Sequence, residues 1–537
     1  MPSKISSFFQ QNKTLLTVIT LALIAILSSI FFYKFNSIAV GYSSKMILVL
    51  GIISSLLIIL FFLSYKHFSK RDDSKVLPRF YLATLLVLGL MYSAVFLPGT
   101  APDETYHYKS AYYYSTIITG NDSDSQFVSM RSSDSDFCNE AISSSMSASM
   151  NKEHYHNILE SISNSSNSEY VLSSLEKPSI SGNPPQTRLF STIGLLLCQF
   201  LNLNSFATFY IGRLFNFLWF ALLAFMAYKI TPVGKTLFAT ITFLPMTLHI
   251  VSSYSYDSTV IGLSLLLISL CLKGIYSQKM CSKKLLVAIP VVTFLLAPCK
   301  ILYALSAFLV FLIPNANFPS KKIAYCYKFG LIGLILLAVA LSKLPDLLWS
   351  TSTSLSAEST QSQTDYRGTE AGHFYDLSDL INDPLHTIFI LVNTINQQFD
   401  FYLSTFLGGS LGWFQPELKT PWFFILLFLF ILLYTARKSD EDSLIPTKKM
   451  KCFFGTLSFL MFMAISSSML LGWTLNTEFA IEGVQGRYLL PFAPLIFLLF
   501  RTKNTQRKES YSPLILLTLF TLNTMNLIYI WAAMARI

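Results

Sequence analysis

From Thr14 to Tyr33, and again from Met46 to Tyr65, the chain runs without a charged side chain. About 20 consecutive apolar residues are what a helix needs to cross the hydrocarbon of a bilayer. No water reaches that layer, so backbone polar groups must be satisfied internally, and only helices or closed barrels span it. Long and intermediate apolar runs recur at Arg79–Leu97, Phe206–Tyr228, Leu237–Ser252, Thr259–Leu272, Phe329–Leu341, Pro421–Tyr434, Phe453–Gly472, Tyr488–Phe500 and Pro513–Ala533. The pattern predicts an all-α polytopic integral membrane protein with about thirteen crossings once the shorter runs are included.

Composition agrees: 53% of residues are hydrophobic and 13% charged, against roughly 25% charged in soluble domains. The net charge of +10 falls in short basic clusters between apolar runs, as in Lys66, Lys70, Arg71, Lys75 and Arg79. Such clusters mark cytoplasmic edges, and no basic and aromatic surface of the kind that holds nucleic acid is recognisable. They place the N-terminus inside and the C-terminus outside. The first apolar run exceeds a signal-peptide core of about 7–15 residues and has no clear small-residue cleavage site, so it reads as a retained helix. The 7 cysteines are scattered, and the fold does not depend on disulfides.

Two regions follow. Residues 1–78 form a transmembrane hairpin with a basic linker. Residues 79–537 form a core with polar outer loops at 98–188 and 342–384. Within the first loop, parts such as Glu153–Leu175 are expected to form helix over the membrane mouth. Leu189–Leu201 is short enough to lie along the interface, and Leu385–Leu407, interrupted by Asn393, Asn396, Gln397, Gln398 and Asp400, suits an interfacial or re-entrant helix. Leu285–Ala297 and Ile301–Ile313 are both short, which sets the Lys300 turn between them below the membrane surface in a cavity.

The stretch Pro98–Lys109, P-G-T-A-P-D-E-T-Y-H-Y-K, leaves a span and carries Asp103 and Glu104 side by side with His107 one turn on. Ionisable groups at such a position are functional candidates. The same side of the topology gathers Arg188, Arg213, Tyr256, Asp257, Lys300 and Arg487. Carboxylates facing cations in one cavity satisfy each other and leave donors for an anionic ligand such as a lipid phosphate. Each residue also has a plainer reading: Asp103 and Glu104 as a solvated helix end, Arg213 and Arg487 as snorkelling anchors, Lys300 as a turn residue, Asp257 as a helix cap, and His107 as a structural hydrogen-bonder. His154 and His156 fit loop filler better than metal ligands. No P-loop, dinucleotide fingerprint, zinc motif or nucleophile elbow occurs.

Six motifs in order, P-D-E-T-Y-H (Pro102–His107), I-G-R-L-F-N (Ile211–Asn216), L-P-M-T-L-H with S-Y-D (Leu244–Asp257), C-K-I-L-Y (Cys299–Tyr303), L-G-W-F (Leu411–Phe414) and Q-G-R-Y-L-L-P (Gln485–Pro491), give a resemblance. From about Arg79 to the C-terminus the chain resembles an uncharacterised family of bacterial multi-spanning membrane proteins grouped with the GT-C glycosyltransferases. That resemblance implies a GT-C-like fold and a polyprenyl-phosphate sugar donor. It further implies transfer to a cell-envelope glycan or lipid acceptor on the outer face of the cytoplasmic membrane. Carried over, Asp103 or Glu104 is the acid that acts as base or orients the acceptor, and cations such as Lys300 and Arg487 meet the phosphate leaving group. Two adjacent carboxylates also permit a divalent cation, magnesium or manganese, without requiring one. Two other classes compete: a transporter, flippase or polymerase-like protein for lipid-linked glycans, and a non-catalytic envelope scaffold. Transporters often carry internal repeats and midplane sites, and no clear repeat is present here.

Overall fold

In a computed structural model, which describes residues 13–41, 44–69, 73–140, 150–178, 182–350, 374–415, 418–439, 442–503, 506–507 and 512–536, the apolar runs fold as helices. They begin with α1 (Lys13–Val40), α2 (Lys45–Ser69) and α3 (Asp73–Val95). A polar segment follows: α4 (Glu104–Thr119), β1 (Phe127–Arg131), α5 (Ser132–Glu140), α6 (Lys152–Glu160), β2 (Tyr170–Glu176) and α7 (Pro185–Phe200). The middle of the chain supplies α8 (Ser205–Ile230), α9 (Lys235–Thr242), α10 (Pro245–Val251), α11 (Asp257–Ile275), α12 (Lys283–Leu296), α13 (Ile301–Ala304, continuing as a tighter 3₁₀ stretch to Leu312) and α14 (Lys321–Ser350). The remainder gives α15 (Leu377–Asn382), α16 (Pro384–Leu407), α17 (Trp422–Thr435), β3 (Lys438–Ser439), α18 (Lys448–Gly472), α19 (Ala493–Leu498), β4 (Gln506–Arg507) and α20 (Ser512–Met534).

Among the described residues, eight helices are long and apolar enough to cross a membrane: α1, α2, α3, α8, α11, α14, α18 and α20. Three shorter apolar helices, Ile301–Leu312, Trp422–Thr435 and Gly486–Leu498, accompany them. The protein is thus an all-α polytopic membrane protein. Several expected crossings are broken. Leu237–Ser252 is two short helices, α9 and α10, split before Pro245, because proline has no N–H to continue the ladder and disfavours helix in the residue before it. Gly486–Phe492 is a 3₁₀ stretch containing Pro491.

Helix α11 is the axis of the bundle: its apolar residues run around all sides, and 94% of its most apolar window is buried by other helices. A helix apolar all round belongs in a core or in lipid, and here protein covers it. α8 and α12 pack on α11, and α3 packs on α8. The N-terminal hairpin packs against α20. Asn36 donates to the Ala532 carbonyl at 2.7 Å and accepts from Arg536 Nε at 3.0 Å.

The polar segment has a small core of its own, Tyr108, Tyr112, Val128, Met130, Phe137 and Ile158, seated on Phe209 and Tyr254. Of the expected Glu153–Leu175 stretch, α6 covers 153–160 and a 3₁₀ turn covers Ser161–Ser163. Residues 170–176 are a strand, antiparallel to β1. A buried ion pair, Arg131 Nε to Asp134 Oδ2 at 2.7 Å, closes this unit, with Tyr112 Oη donating to the same carboxylate. At the other end of α17, Arg501 binds Asp442 at 2.6 Å and the carbonyls of Arg437 and Leu444. This gathers the loops there. Most of the expected second polar loop, residues 351–373, and the serine-rich 141–149 lie outside the described residues.

Candidate functional site

Asp103 and Glu104 begin α4 but face different surroundings. Asp103 has a left-handed backbone, φ 54° and ψ 20°, a conformation that aspartate tolerates better than most residues. The sharp turn sends the next side chain inward. Glu104 is 0% exposed. Its Oε1 accepts from Arg213 Nε at 2.7 Å and the Tyr254 amide at 3.1 Å; its Oε2 accepts from Arg213 Nη2 at 2.6 Å and the Gly99 amide at 2.9 Å. Arg213 spends its other three N–H groups on the carbonyls of Ser93, Phe96 and Leu97. A carboxylate has about four lone-pair sites and a guanidinium five donors, so both groups are saturated. The expected roles of Arg213 as phosphate ligand and Glu104 as base have no free atom to perform them. The pair instead ties α3, α4, α8 and the Tyr254 turn together.

Asp103 makes no capping bond, and no hydrogen bond or ion pair of its carboxylate exists among the described residues. Burial holds its carboxyl above the usual range, because a charge is costly away from water. The Arg487 charge opposes that rise, and the Asp257 charge adds to it.

Around it sit the other candidates. Arg188, 1% exposed, donates through Nη2 to His107 Nδ1 at 2.7 Å and Asn183 Oδ1 at 2.9 Å, and through Nη1 to the Tyr254 carbonyl at 3.1 Å. Guanidinium only donates, so Nδ1 of His107 accepts and its proton sits on Nε2. Burial, then the Arg188, Arg487 and Lys300 charges, push the His107 pKa well below the ordinary histidine value, so the ring is neutral. Its edge meets the Tyr256 ring at 5.2 Å. Lys300 Nζ lies 3.4 Å from Asp257 Oδ1 and over the rings of Tyr256 at 4.7 Å and Tyr488 at 4.9 Å. Arg487 stacks over Tyr488 at 5.5 Å. The Nε atoms of Arg188 and Arg487 are both buried and unpartnered. Neither arginine has a carboxylate at ion-pair distance among the described residues. Three cations thus share two aspartates, and the site is short of negative charge.

The motif glycines make this convergence possible. A Cβ on Gly212 would lie 1.8 Å from Tyr254 Oη, and one on Gly486 1.9 Å from the Tyr402 carbonyl oxygen. Gly486 donates its amide to Thr405 Oγ1 at 2.7 Å, so the Arg487 loop is pressed onto α16. Gly412 donates to His249 Nε2 at 3.1 Å, bringing L-G-W-F onto the end of α10. Tyr303 Oη donates to the Tyr488 carbonyl at 3.0 Å, and Asn216 donates to Ser253 and Ser255 carbonyls at 2.7 and 3.1 Å. All six sequence motifs therefore interlock around one place. Sequence reasoning missed Tyr303, Tyr488, His249 and Thr405 as parts of the frame; the first three lie inside or one residue beside residues already singled out.

As divalent-ion ligands, Asp103 and Glu104 do not fit, since all of Glu104's acceptor sites are occupied. Among the described residues no three His, Cys, Asp or Glu side chains stand together.

Residues 85–496 match the model of a family described as "Predicted membrane protein (DUF2142)". The match begins inside α3 and ends inside α19, so α1, α2 and α20, which pack on one another, all lie outside it. No curated protein and no solved structure matches the chain.

Proposed function

This chain belongs to the DUF2142 family of membrane proteins, and we propose that it is a glycosyltransferase using a polyprenyl-phosphate sugar donor at the outer face of the membrane. The observation that carries this reading is the unpartnered carboxylate of Asp103 beside a cluster with surplus positive charge, the buried Arg188 and the half-buried Lys300 and Arg487. Asp103 takes the proton from the acceptor hydroxyl as its oxygen attacks the anomeric carbon. The bond from that carbon to the phosphate oxygen breaks, and the phosphate leaves with the electron pair. Arg487, Lys300 and Arg188 stabilise the charge that develops there. His107, held neutral and oriented by Arg188, presents its Nε2–H as a hydrogen-bond donor.

A lipid-linked donor also needs room for a hydrocarbon chain. A crevice of ≈ 500 Å³, lined by Leu90, Leu97, Leu159, Ile211 and Leu214, opens between α3, α6 and α8. Leu97 lines it while its carbonyl accepts from Arg213, so the crevice abuts the structural pair that supports Asp103. The test is transfer of radiolabelled sugar from a polyprenyl-phosphate donor in proteoliposomes. Asp103→Asn is expected to lower it by roughly 10²- to 10⁴-fold, and wild-type rates in that variant would remove the reading.

A further inference from the structure

Away from this cluster, the polar segment holds a second cavity of ≈ 460 Å³, within the usual range for small-molecule sites of roughly 300–1,000 Å³. Its lining is almost wholly polar and comes from α5, α6, the 164–167 turn and the first residue of α8. The side chains that matter are Asp136, Asn157, Glu160, Asn164, Ser133 and Phe137. Two side-chain-to-backbone bonds brace its rim. Ser133 Oγ donates to the Asn167 carbonyl at 3.3 Å, and Asn204 Nδ2 to the Ile162 carbonyl at 2.8 Å. The α5 start is locked by the Arg131–Asp134 pair, with Arg131 Nη2 also donating to Thr208 Oγ1 at 2.9 Å.

We infer that this cavity binds an uncharged saccharide unit. Its lining has two carboxylates and no lysine, arginine or histidine, so an anion is repelled. Phe137, itself buried and packed toward Phe209, is its one large apolar side chain, so a lipid or aromatic ligand has little to rest on. What the cavity offers is a mixture of acceptors in Asp136, Glu160 and the amide oxygens, and donors in serine hydroxyls and asparagine NH₂ groups. Hydroxyl groups, each donor and acceptor at once, match that mixture.

One hydrogen bond joins the cavity's helix α5 to α4, which begins at the first site. Tyr112 of α4 donates to Asp134 of α5, and about 12 Å of helix rise separates Tyr112 from Glu104. If transfer is the activity, this is where part of a glycan acceptor is held. The identity of the ligand rests on that reading, but the binding does not.

The experiment is a binding assay on the full chain in nanodiscs, passed over an array of neutral, amino-sugar and uronic-acid oligosaccharides. Retention on neutral oligosaccharides, lost at least tenfold in Asp136→Ala with Asn157→Ala and blocked by Asn157→Trp, supports the site. Asp103→Asn is expected to retain the same spots, which separates this cavity from the transfer site. No neutral glycan retained at millimolar concentration would overturn the inference. So would a preference for uronic-acid or amino-sugar glycans, or unchanged binding in both cavity variants when their unfolding temperatures match wild type.

Discussion

Arg213 clasps Glu104 through two bonds of 2.7 and 2.6 Å, one residue away from Asp103, which has no such clasp. Adjacent carboxylates have thereby been given separate work: one holds the bundle together and the other faces the cluster of cations.

Asp103→Asn should reduce transfer by roughly 10²- to 10⁴-fold, the usual weight of a positioned base. It should not unfold the protein. The carboxyl is held above its ordinary range in the folded state, so its ionised form opposes folding at neutral pH, an effect absent in the neutral Asn. Unfolding temperature in detergent should stay level or rise while the radiolabel assay falls.

Glu104→Gln should do the reverse. Breaking a buried ion pair from one side costs about 3–5 kcal/mol, and here it also weakens the hold on the Gly99 and Tyr254 amides. A double variant, Glu104→Gln with Arg213→Met, should be less destabilised than the two single losses added together, as a double-mutant cycle on unfolding midpoints will measure.

The acid limb of the pH–rate profile should lie above the ordinary aspartate range. Arg487 lowers the Asp103 pKa, so Arg487→Met should move that limb to still higher pH. His107 is neutral in the fold and should add no ionisation between pH 6 and 8. A limb that stays in place in Arg487→Met would argue against their electrostatic contact.

Lys300→Met and Arg487→Met should each slow turnover by about 10²- to 10³-fold, the cost of losing one donor to a developing anion. Arg213→Met should instead show its loss first in yield and thermal stability. Comparing kcat with unfolding temperature across the three variants separates the groups.

Gly486→Ala should cost stability and activity together. The added methyl would meet the Tyr402 carbonyl at 1.9 Å, and backbone cannot swing aside as a side-chain tip can. Overpacking of this kind costs roughly 1–3 kcal/mol, and the displaced loop carries Arg487. Thermal unfolding and turnover on the same preparation will show the linked loss.

The helices are legible in the sequence because lipid leaves an apolar run no other way to satisfy its backbone. The site is legible as a set of residues because charges and glycines stand out in so apolar a chain. The division between Asp103 and Glu104 is not, since it depends on Arg213, which is 109 positions away. Nor is the β1–β2 pair. Its strands, Phe127–Arg131 and Tyr170–Glu176, are short, lie far apart in a serine-rich segment and show no strong alternation. The splitting of Leu237–Ser252 was marked by Pro245, a residue tolerated in membrane helices and so a weaker signal there than in a soluble protein.

The bonds between Asn36 and the end of α20 span as many as 500 positions. At about 5–20 residues per second of synthesis, the hairpin is made about 25 to 100 seconds before the helix that receives it. In that interval its inward face, including Asn36, must wait in the bilayer against lipid or an insertion factor. Helix α20, made long after α1, is therefore the one that completes it.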